Sequence, residues 1–434
     1  MFHLHKSLFS ISFALAVLCL STISSPLRAQ WVQTSMPYRG YVRALAASSN
    51  GAGGTMLVAG TDGGGVYIST NDGTDWKTAD SGLTSLYVWS LAITSNGSGG
   101  TNIFAGTYDK GVFLSTNEGA KWQPIDSGLT CLYVTSLAAT PNGSGGNLLF
   151  AGTDSGGVYL STNNGAIWTA RDSDLAYRYV WSVWASPNGT GGTNLIAGTD
   201  GGGAFFSTNN GAIWTTTDST LTNPYVYALE LSGGTLFAGT DSGMFLLNYN
   251  DSIWTGYPID SNLTDFNILS LALVDTNVFA GTAGDGVYLT TNDGATWAQV
   301  NDGLTANSIW SLVVSGSNLF AGSYGDGIWR LPLSSVLSVK RASNGLPAQF
   351  RLEQNYPNPF NPTTTIEYAL SKSAYVRLVV YDLLGRKVAV LVNGMQTPGY
   401  KSATFDGSQL SSGVYLYRIE AGSYTATKKL LLLK

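Results

Sequence analysis

The chain has 434 residues, 44% hydrophobic and 12% aromatic, with 22 Lys or Arg against 27 Asp or Glu and a formal charge of −5. That is ample apolar surface for a packed core, and the acidic balance argues against nucleic acid, whose phosphates demand a cationic face. Its two histidines, His3 and His5, fall in the leader described next, so Ser-His-Asp chemistry, histidine metal sites and histidine acid–base catalysis are not expected of the mature protein.

Residues 1–29 read as a secretory signal peptide. Lys6 gives the positive start, Phe9–Leu20 is the apolar stretch, and Leu27-Arg28-Ala29 is a cleavage site ahead of Gln30. Leu18 before Cys19 is a poor fit to a lipoprotein site. No other apolar run approaches membrane-spanning length, so no integral membrane segment is expected. Cys131 is then the one cysteine left, in the slot Ser85 holds one repeat earlier, and no disulfide within the chain can form.

From residue 30 the chain repeats itself. An Ala-Gly-Thr core (once Ala-Gly-Ser) begins at Ala59, Ala105, Ala151, Ala197, Ala238, Ala280 and Ala321, in steps of 41–46 residues. Each unit holds four short β-type runs. In the second they are Tyr87–Leu91, Ile103–Thr107, Val112–Ser115 and a strand opening at Trp122, with Gly, Asn and Asp clusters between them. Four strands per unit at this period predict β-propeller blades. The extra residues of the longer units form a loop such as Asn96–Gly100, a plain linker.

The fourth strand is entered through Ser69-Thr-Asn71-Asp-Gly73-Thr-Asp-Trp76, and equivalent Trp residues stand at Trp122, Trp168, Trp214 and Trp297. The fifth copy, ending at Trp254, lacks the Gly. The seventh has Ser338 where its Trp should fall. Trp31 precedes Leu45 by nearly the distance from Trp76 to Leu91, so Trp31-Val32-Gln33 is expected to supply the missing strand and close a seven-bladed ring. The motif resembles the Asp-box of sialidases, sortilin-type receptors and photosystem II assembly-factor-like propellers, with Asn71 at the usual Asp position. In those families it lies away from the active face. The resemblance therefore implies a folding device: Asn bonds turn amides, Gly takes a left-handed conformation and Trp packs on the hairpin.

Propellers of this kind keep ligands on the face built by the loops before the first strand and between the second and third. The latter loop carries Asp62, Asp109, Asp154, Asp200, Asp241, Asp285 and Asp326. The former adds Asp80, Asp126, Asp172, Asp218, Asp260 and Asp302. Such a crown suits cations or hydroxyl-rich ligands, although turn-forming aspartates repeated with the blade would look the same. One first-strand position varies between blades: Arg43, Trp89, Thr135, Trp181, Tyr227, Leu269 and Trp310. Its aromatic members, Trp89, Trp181, Tyr227 and Trp310, could stack on a sugar or pack between blades.

Enzyme chemistry finds little purchase. Sialidases clamp a carboxylate with three arginines and pair a Tyr nucleophile with a Glu. This propeller offers Arg39, Arg43, Arg171, Arg178, Arg330, Glu118 and Glu230 without an Arg-Ile-Pro motif, and no triad emerges. Glycosidases need two carboxylates with split pKa values, which the loop aspartates permit but do not single out. Xyloglucanases with similar repeats cleave between two propellers, and one is expected here. No catalytic residue and no metal ligand is assigned; calcium is the one cofactor left open.

At the tail the charge reverses. Residues 31–335 carry 8 Lys or Arg against 22 Asp or Glu, whereas 336–434 carry 12 against 5. Then come Asn355-Tyr-Pro357-Asn358-Pro359-Phe-Asn-Pro362, Asp382-Leu-Leu-Gly385-Arg386, Leu410-Ser-Ser-Gly413-Val-Tyr415 and Lys428–Lys434. These motifs resemble, in order, the type A C-terminal sorting domain of the type IX secretion system. Tyr400 stands where that family often has His. The resemblance implies passage across the outer membrane of a Bacteroidota-like bacterium, with the secretion machinery as partner. The alternation itself predicts a small antiparallel sandwich, which an immunoglobulin-like adhesion module would also satisfy.

The expected fold is all-β: a seven-bladed propeller over 30–335, a linker over 336–349 and an immunoglobulin-like β-sandwich over 350–434. The expected role is a non-enzymatic binding module for a polysaccharide or a surface protein. A carbohydrate-active hydrolase or lyase and an envelope assembly scaffold are the alternatives.

Overall fold

The computed structural model describes residues 30–433 except 50–54, 97–99, 143–145, 189–191, 217–220, 222, 233–234, 251–252, 259–266, 338–348, 356–357, 359 and 423. The leader, most of the linker, Asp218, Asp260, Pro357, Pro359 and Lys434 lie outside the described residues.

Seven four-stranded antiparallel sheets follow one another as propeller blades. Blade one runs Val42–Ser49, Thr55–Thr61, Val66–Ser69 and Lys77–Thr78 in chain order. First strands pack side by side around the ring, the last against the first. Blade seven takes Ile309–Ser315, Asn318–Ser323 and Ile328–Pro332 from the far end of the propeller. Its fourth strand is Val32–Gln33, paired Val32↔Arg330 and Gln33↔Trp329. Chain start and propeller end are laced into one sheet, which covers an otherwise open edge.

The repeated Ala-Gly-Thr core has a physical cause. A Cβ on Gly60 would stand 2.6 Å from Val88 Cγ1 of the next blade, and one on Gly322 would stand 2.7 Å from Val42 Cγ1. Gly106, Gly152, Gly198, Gly239 and Gly281 meet Val134, Val180, Val226, Ile268 and Ile309 in the same way. Glycine is what lets each blade approach its neighbour's first strand. The alanine before it is fully buried in every blade. The hydroxyl after it locks the next hairpin: Thr61 Oγ1 donates to Gly65 O at 2.8 Å and accepts from Gly64 N at 3.0 Å. The core therefore lies between blades. Val58 and Ile68 of blade one share a cluster with Ile103, Phe113 and Trp122 of blade two.

The Asp-box is a turn that ends the third strand. Ser69 Oγ accepts Gly73 N at 3.0 Å, and Asn71 Oδ1 accepts Asp75 N at 2.9 Å. Two consecutive residues are left-handed, Asp72 at φ 54° and Gly73 at φ 74°, and Glu118, Asn164, Asn210 and Asp293 take the Asp72 role in other copies. Where the Gly is missing, in blade five, strands Gly243–Asn250 and Ile253–Pro258 simply run on as a longer hairpin.

The tail forms two facing sheets. One joins Arg351–Leu352, Thr363–Leu370 and Gly399–Asp406; the other joins Lys387–Gln396, Ala374–Asp382, Gly413–Ala421 and Tyr424–Leu432. Alternating inward residues, among them Ile366, Val376, Val380, Tyr417 and Leu432, make its core.

Candidate ligand-binding mouth

Every blade has a β-bulge at the start of its first strand. In blade two the ladder passes from Val88↔Thr107 to Ser90↔Gly106, leaving Trp89 as the extra residue. The same break falls on Arg43, Thr135, Trp181, Tyr227, Leu269 and Trp310. A bulge takes its residue out of the ladder and re-aims the side chain. The position that varies most visibly between blades is the bulge.

Tyrosines gather beside these residues. Tyr41, Tyr87, Tyr133 and Tyr179, each two residues before a bulge, accept through their carbonyl oxygens the backbone N–H of Asp62, Tyr108, Asp154 and Asp200. That ties the loop after Ala-Gly-Thr to the ring's opening. Tyr87, Tyr108, Tyr133, Tyr177, Tyr225 and Tyr324 remain 38–49% exposed there. Tyr41 stacks on Tyr324 with centroids 3.7 Å apart, and Tyr108 meets Tyr133 edge-on at 5.0 Å. These tyrosines were missed in the sequence, although Tyr recurs two places before the bulge in five of seven blades.

Two bulge residues hold a cation between them. Arg43 Cζ lies 4.1 Å from the Trp310 ring and 5.0 Å from the Trp89 ring. Its Nη2 donates to Asp62 Oδ2 at 3.0 Å, and Trp89 Nε1 reaches Asp62 Oδ1 at 3.4 Å. Further round, Trp181 lies 5.0 Å from Tyr179 and 5.8 Å from Tyr227.

The seven loop acids do not form one ring of equivalent carboxylates. Asp62, Asp154, Asp200 and Asp241 directly follow the Thr, where blades two, six and seven have Tyr108, Ala283 and Tyr324. Asp109 comes one residue later. Asp285 and Asp326 come two later, where their backbone N–H groups bond to Thr282 and Ser323 as that of Gly64 does to Thr61. Asp62 is paired with Arg43, and Asp241 accepts from Asn223. In the second set, Asp80, Asp126 and Asp172 pack on Gly65, Gly111 and Gly157 while Asn301, not Asp302, fills that place in blade six. Among the described residues no three His, Cys, Asp or Glu side chains group as a metal site.

Several groups from blade three to blade five titrate above their ordinary values. Burial and the charge of Asp200 raise the Asp154 pKa. Burial, then Asp154, Asp200 and Tyr108, push the Tyr179 phenol up to about 12, so it stays a hydrogen-bond donor at physiological pH. Tyr227 is raised by burial and by Asp241 and Asp200. Deeper in, Glu230 is pushed by burial to about 7 despite hydrogen bonds from Leu231 and Trp184. Its equivalents in other blades are Ala46, Ala92, Ala138, Trp184, Ala272 and Val313.

The remaining motif residues are placed elsewhere. In an antiparallel blade the third-to-fourth turns lie at the opposite end from the second-to-third loops, so Ser69, Asn71, Gly73 and Trp76 are remote from the mouth. The Asp-box indoles do more than pack on their own hairpin. Trp122, Trp168 and Trp214 donate to Ala79, Ile125 and Arg171 of the preceding blade at 2.6–2.7 Å. Trp297 is buried as well. In the tail, Asn358 Oδ1 accepts Leu431 N at 2.8 Å, and Tyr415 donates to Ser411 O at 2.8 Å. Gly385, at φ 78°, turns the hairpin that Arg386 clips to Asp382 at 2.6 Å. Gly413 opens the strand in which Tyr417 opposes Lys428.

The secretion system C-terminal sorting domain family matches residues 354–433. Residues 354–433 are a sorting domain. The chain is accordingly type IX cargo, carried across the outer membrane to the cell surface or medium. No curated protein matches it. Among solved structures it is similar to the extracellular domain of the hybrid two-component system BT3049 from B. thetaiotaomicron, at 14% identity and TM-score 0.54, over 93% of this chain and 57% of that one. A GH74 xyloglucanase from Xanthomonas campestris is similar at 16% and 0.52, over 79% and 59%. YCF48 bound to D1 peptide is similar at 14% and 0.54, over 70% and 96%. The chain thus spans under two thirds of the first two, and identities this low carry the propeller fold alone. No helix among the described residues is long and apolar enough to cross a membrane.

Proposed function

We propose that the protein enters the periplasm through a signal peptide at 1–29, leaves by its sorting domain, and acts outside as a non-enzymatic binding module. Its ligand is an extracellular polypeptide with cationic side chains, taken on the tyrosine-rich mouth. The observation that carries this is the concentration of six half-exposed tyrosines at the end where acidic loops surround the bulge residues. Tyrosine supplies contact area with a polar tip at low entropic cost, and the propeller's excess of acids favours a cationic partner. That YCF48, similar in fold, was solved with a peptide bound supports this reading.

A second reading, a polysaccharide bound or cleaved, is favoured by one observation. Asp154 is raised by burial and by the charge of Asp200, the kind of perturbation an acid–base carboxylate needs. The two are separated by passing the mature full chain over a polysaccharide panel and a panel of basic, neutral and acidic peptides, with and without calcium, scoring retention and new reducing ends. Retention of basic peptides, reduced by Tyr108→Ala or Tyr133→Ala, supports the first reading. Reducing ends, or retention of glycans alone, replace it with the second.

A further inference from the structure

The mouth contains the same set of residue types twice, packed differently: Tyr324 stacks on Tyr41 at 3.7 Å, whereas Tyr108 meets Tyr133 edge-on at 5.0 Å, and only the first copy holds a cation. Around Arg43 stand Trp310 and Tyr324 from blade seven, Tyr41 and Asp62 from blade one, and Tyr87 and Trp89 from blade two. Two blades further on, the equivalent positions around Thr135 are Trp89 and Tyr108, Tyr133 and Asp154, and Tyr179 and Trp181. Residue type is identical at every position but the central one. Blade five, whose following bulge residue is Leu269, does not reproduce it.

In the first copy the chain supplies its own ligand. The Arg43 guanidinium lies 4.1 Å and 5.0 Å from two indole rings and 3.0 Å from the Asp62 carboxylate. Such a plane between two aromatic faces, neutralised by a carboxylate, is a strong setting for guanidinium. In the second copy Thr135 cannot play that part. Its Oγ1 is bonded to the carbonyl oxygens of Gly152, at 2.9 Å, and of Val180, and the residue is 8% exposed. Asp154 has the like charge of Asp200 for a neighbour, which with burial raises its pKa. A cation seated there would relieve that repulsion, as Arg43 balances Asp62.

We infer that the frame over Thr135 is a binding site for an arginine side chain of a partner polypeptide, held between Trp89 and Trp181 with its guanidinium on Asp154. This rests on the reading that the mouth takes a polypeptide, and names the group it grips. Arg43 is the built-in counterpart of the incoming side chain.

The test uses the mature full chain and a Gly-Ser peptide carrying one arginine, with versions carrying citrulline or lysine instead, titrated to millimolar concentration by calorimetry and tryptophan fluorescence. The arginine peptide is expected to bind with one site per chain. Citrulline, isosteric but neutral, should bind about tenfold or more weakly, with lysine between them. Asp154→Asn, which keeps the shape, should weaken the arginine peptide similarly. Thr135→Arg should abolish the site by filling it in cis. Arg43→Thr should raise the stoichiometry from one to two by emptying the matching frame. Equal binding of arginine and citrulline peptides, or wild-type affinity in Asp154→Asn, would overturn the assignment. If basic peptides are retained equally by wild type and Thr135→Arg but lost in Tyr108→Ala, this site is wrong while the mouth still binds polypeptide. If no peptide is retained at all, both readings fall.

Discussion

The indole N–H of Trp168 donates to the carbonyl oxygen of Ile125 at 2.7 Å, 43 residues upstream and one blade back. In blades two, three and four the Asp-box tryptophan is therefore a stitch between blades. Trp76 instead donates at 3.2 Å to Gly73 within its own turn, and the Trp297 indole N–H is buried without a hydrogen-bond partner. Trp168→Phe keeps most of the ring but leaves the half-buried Ile125 carbonyl oxygen without its donor. The expected loss is about 1–3 kcal/mol, seen as a lower urea midpoint, with a smaller loss for Trp76→Phe. Equal midpoints for Trp168→Phe and wild type would show that the stitch contributes nothing.

Ring closure rests on Trp31, which is 2% exposed, donates to Val300 O at 2.6 Å and leads into the strand paired with Ile328–Pro332. Trp31→Ala removes a large buried ring and loosens the strand that covers the edge. Destabilisation of about 3–5 kcal/mol is expected, together with concentration-dependent association through the uncovered edge. Thermal melts and size-exclusion chromatography at two concentrations check both parts.

The blades were legible because the repeat period, the Ala-Gly-Thr core and the Asp-box each encode local backbone geometry. Glycines such as Gly60 and Gly73 announce a close approach or a left-handed turn in one sequence as well as in many. The sorting domain was legible from motif order. The mouth was only half legible. Counting aspartates one per blade merged three different backbone positions, because a shift of one or two residues in a hairpin loop changes where a carboxylate lies while its count stays the same. Tyr87 and its equivalents looked like strand residues because Tyr is at home in strands. What exposes them is the bulge, a pairing property that no single run of residues reveals.

Glu230 makes stability depend on pH. Its pKa is near 7 in the fold, through burial, against about 4.3 in an unfolded chain. The folded state thus holds a proton the unfolded state has released. The stabilisation is fully present below pH 4.3 and is lost as pH rises through 7, up to roughly 4 kcal/mol in all. Glu230→Gln cannot titrate. Its stability relative to wild type should therefore rise between pH 4.5 and 8, and parallel denaturation curves for the two proteins across that range would contradict it.

Passage across the outer membrane should depend on the tail. A chain ending at residue 349 should keep its propeller, whose sheets draw no strand from 350–434 among the described residues, yet remain in the periplasm. Cell fractionation with protease shaving decides this, since truncated protein in the medium at full-length levels would contradict the assignment of the export signal.

Tyr417 is the polar tie within the sorting domain. It is fully buried, donates to Glu353 O at 2.7 Å and accepts from Asn355 N at 2.8 Å, pinning the entering segment against the four-stranded sheet. Tyr417→Phe keeps the ring and strips both backbone groups of their partner, at a cost of about 2–4 kcal/mol. That cost falls on a small domain with one core cluster, so it should show as local opening and leave the propeller intact. Limited proteolysis of the full chain is expected to cut first within 351–433 in the variant, faster than in wild type, with propeller fragments unchanged. An identical digestion pattern would mean that the sandwich holds without this tie.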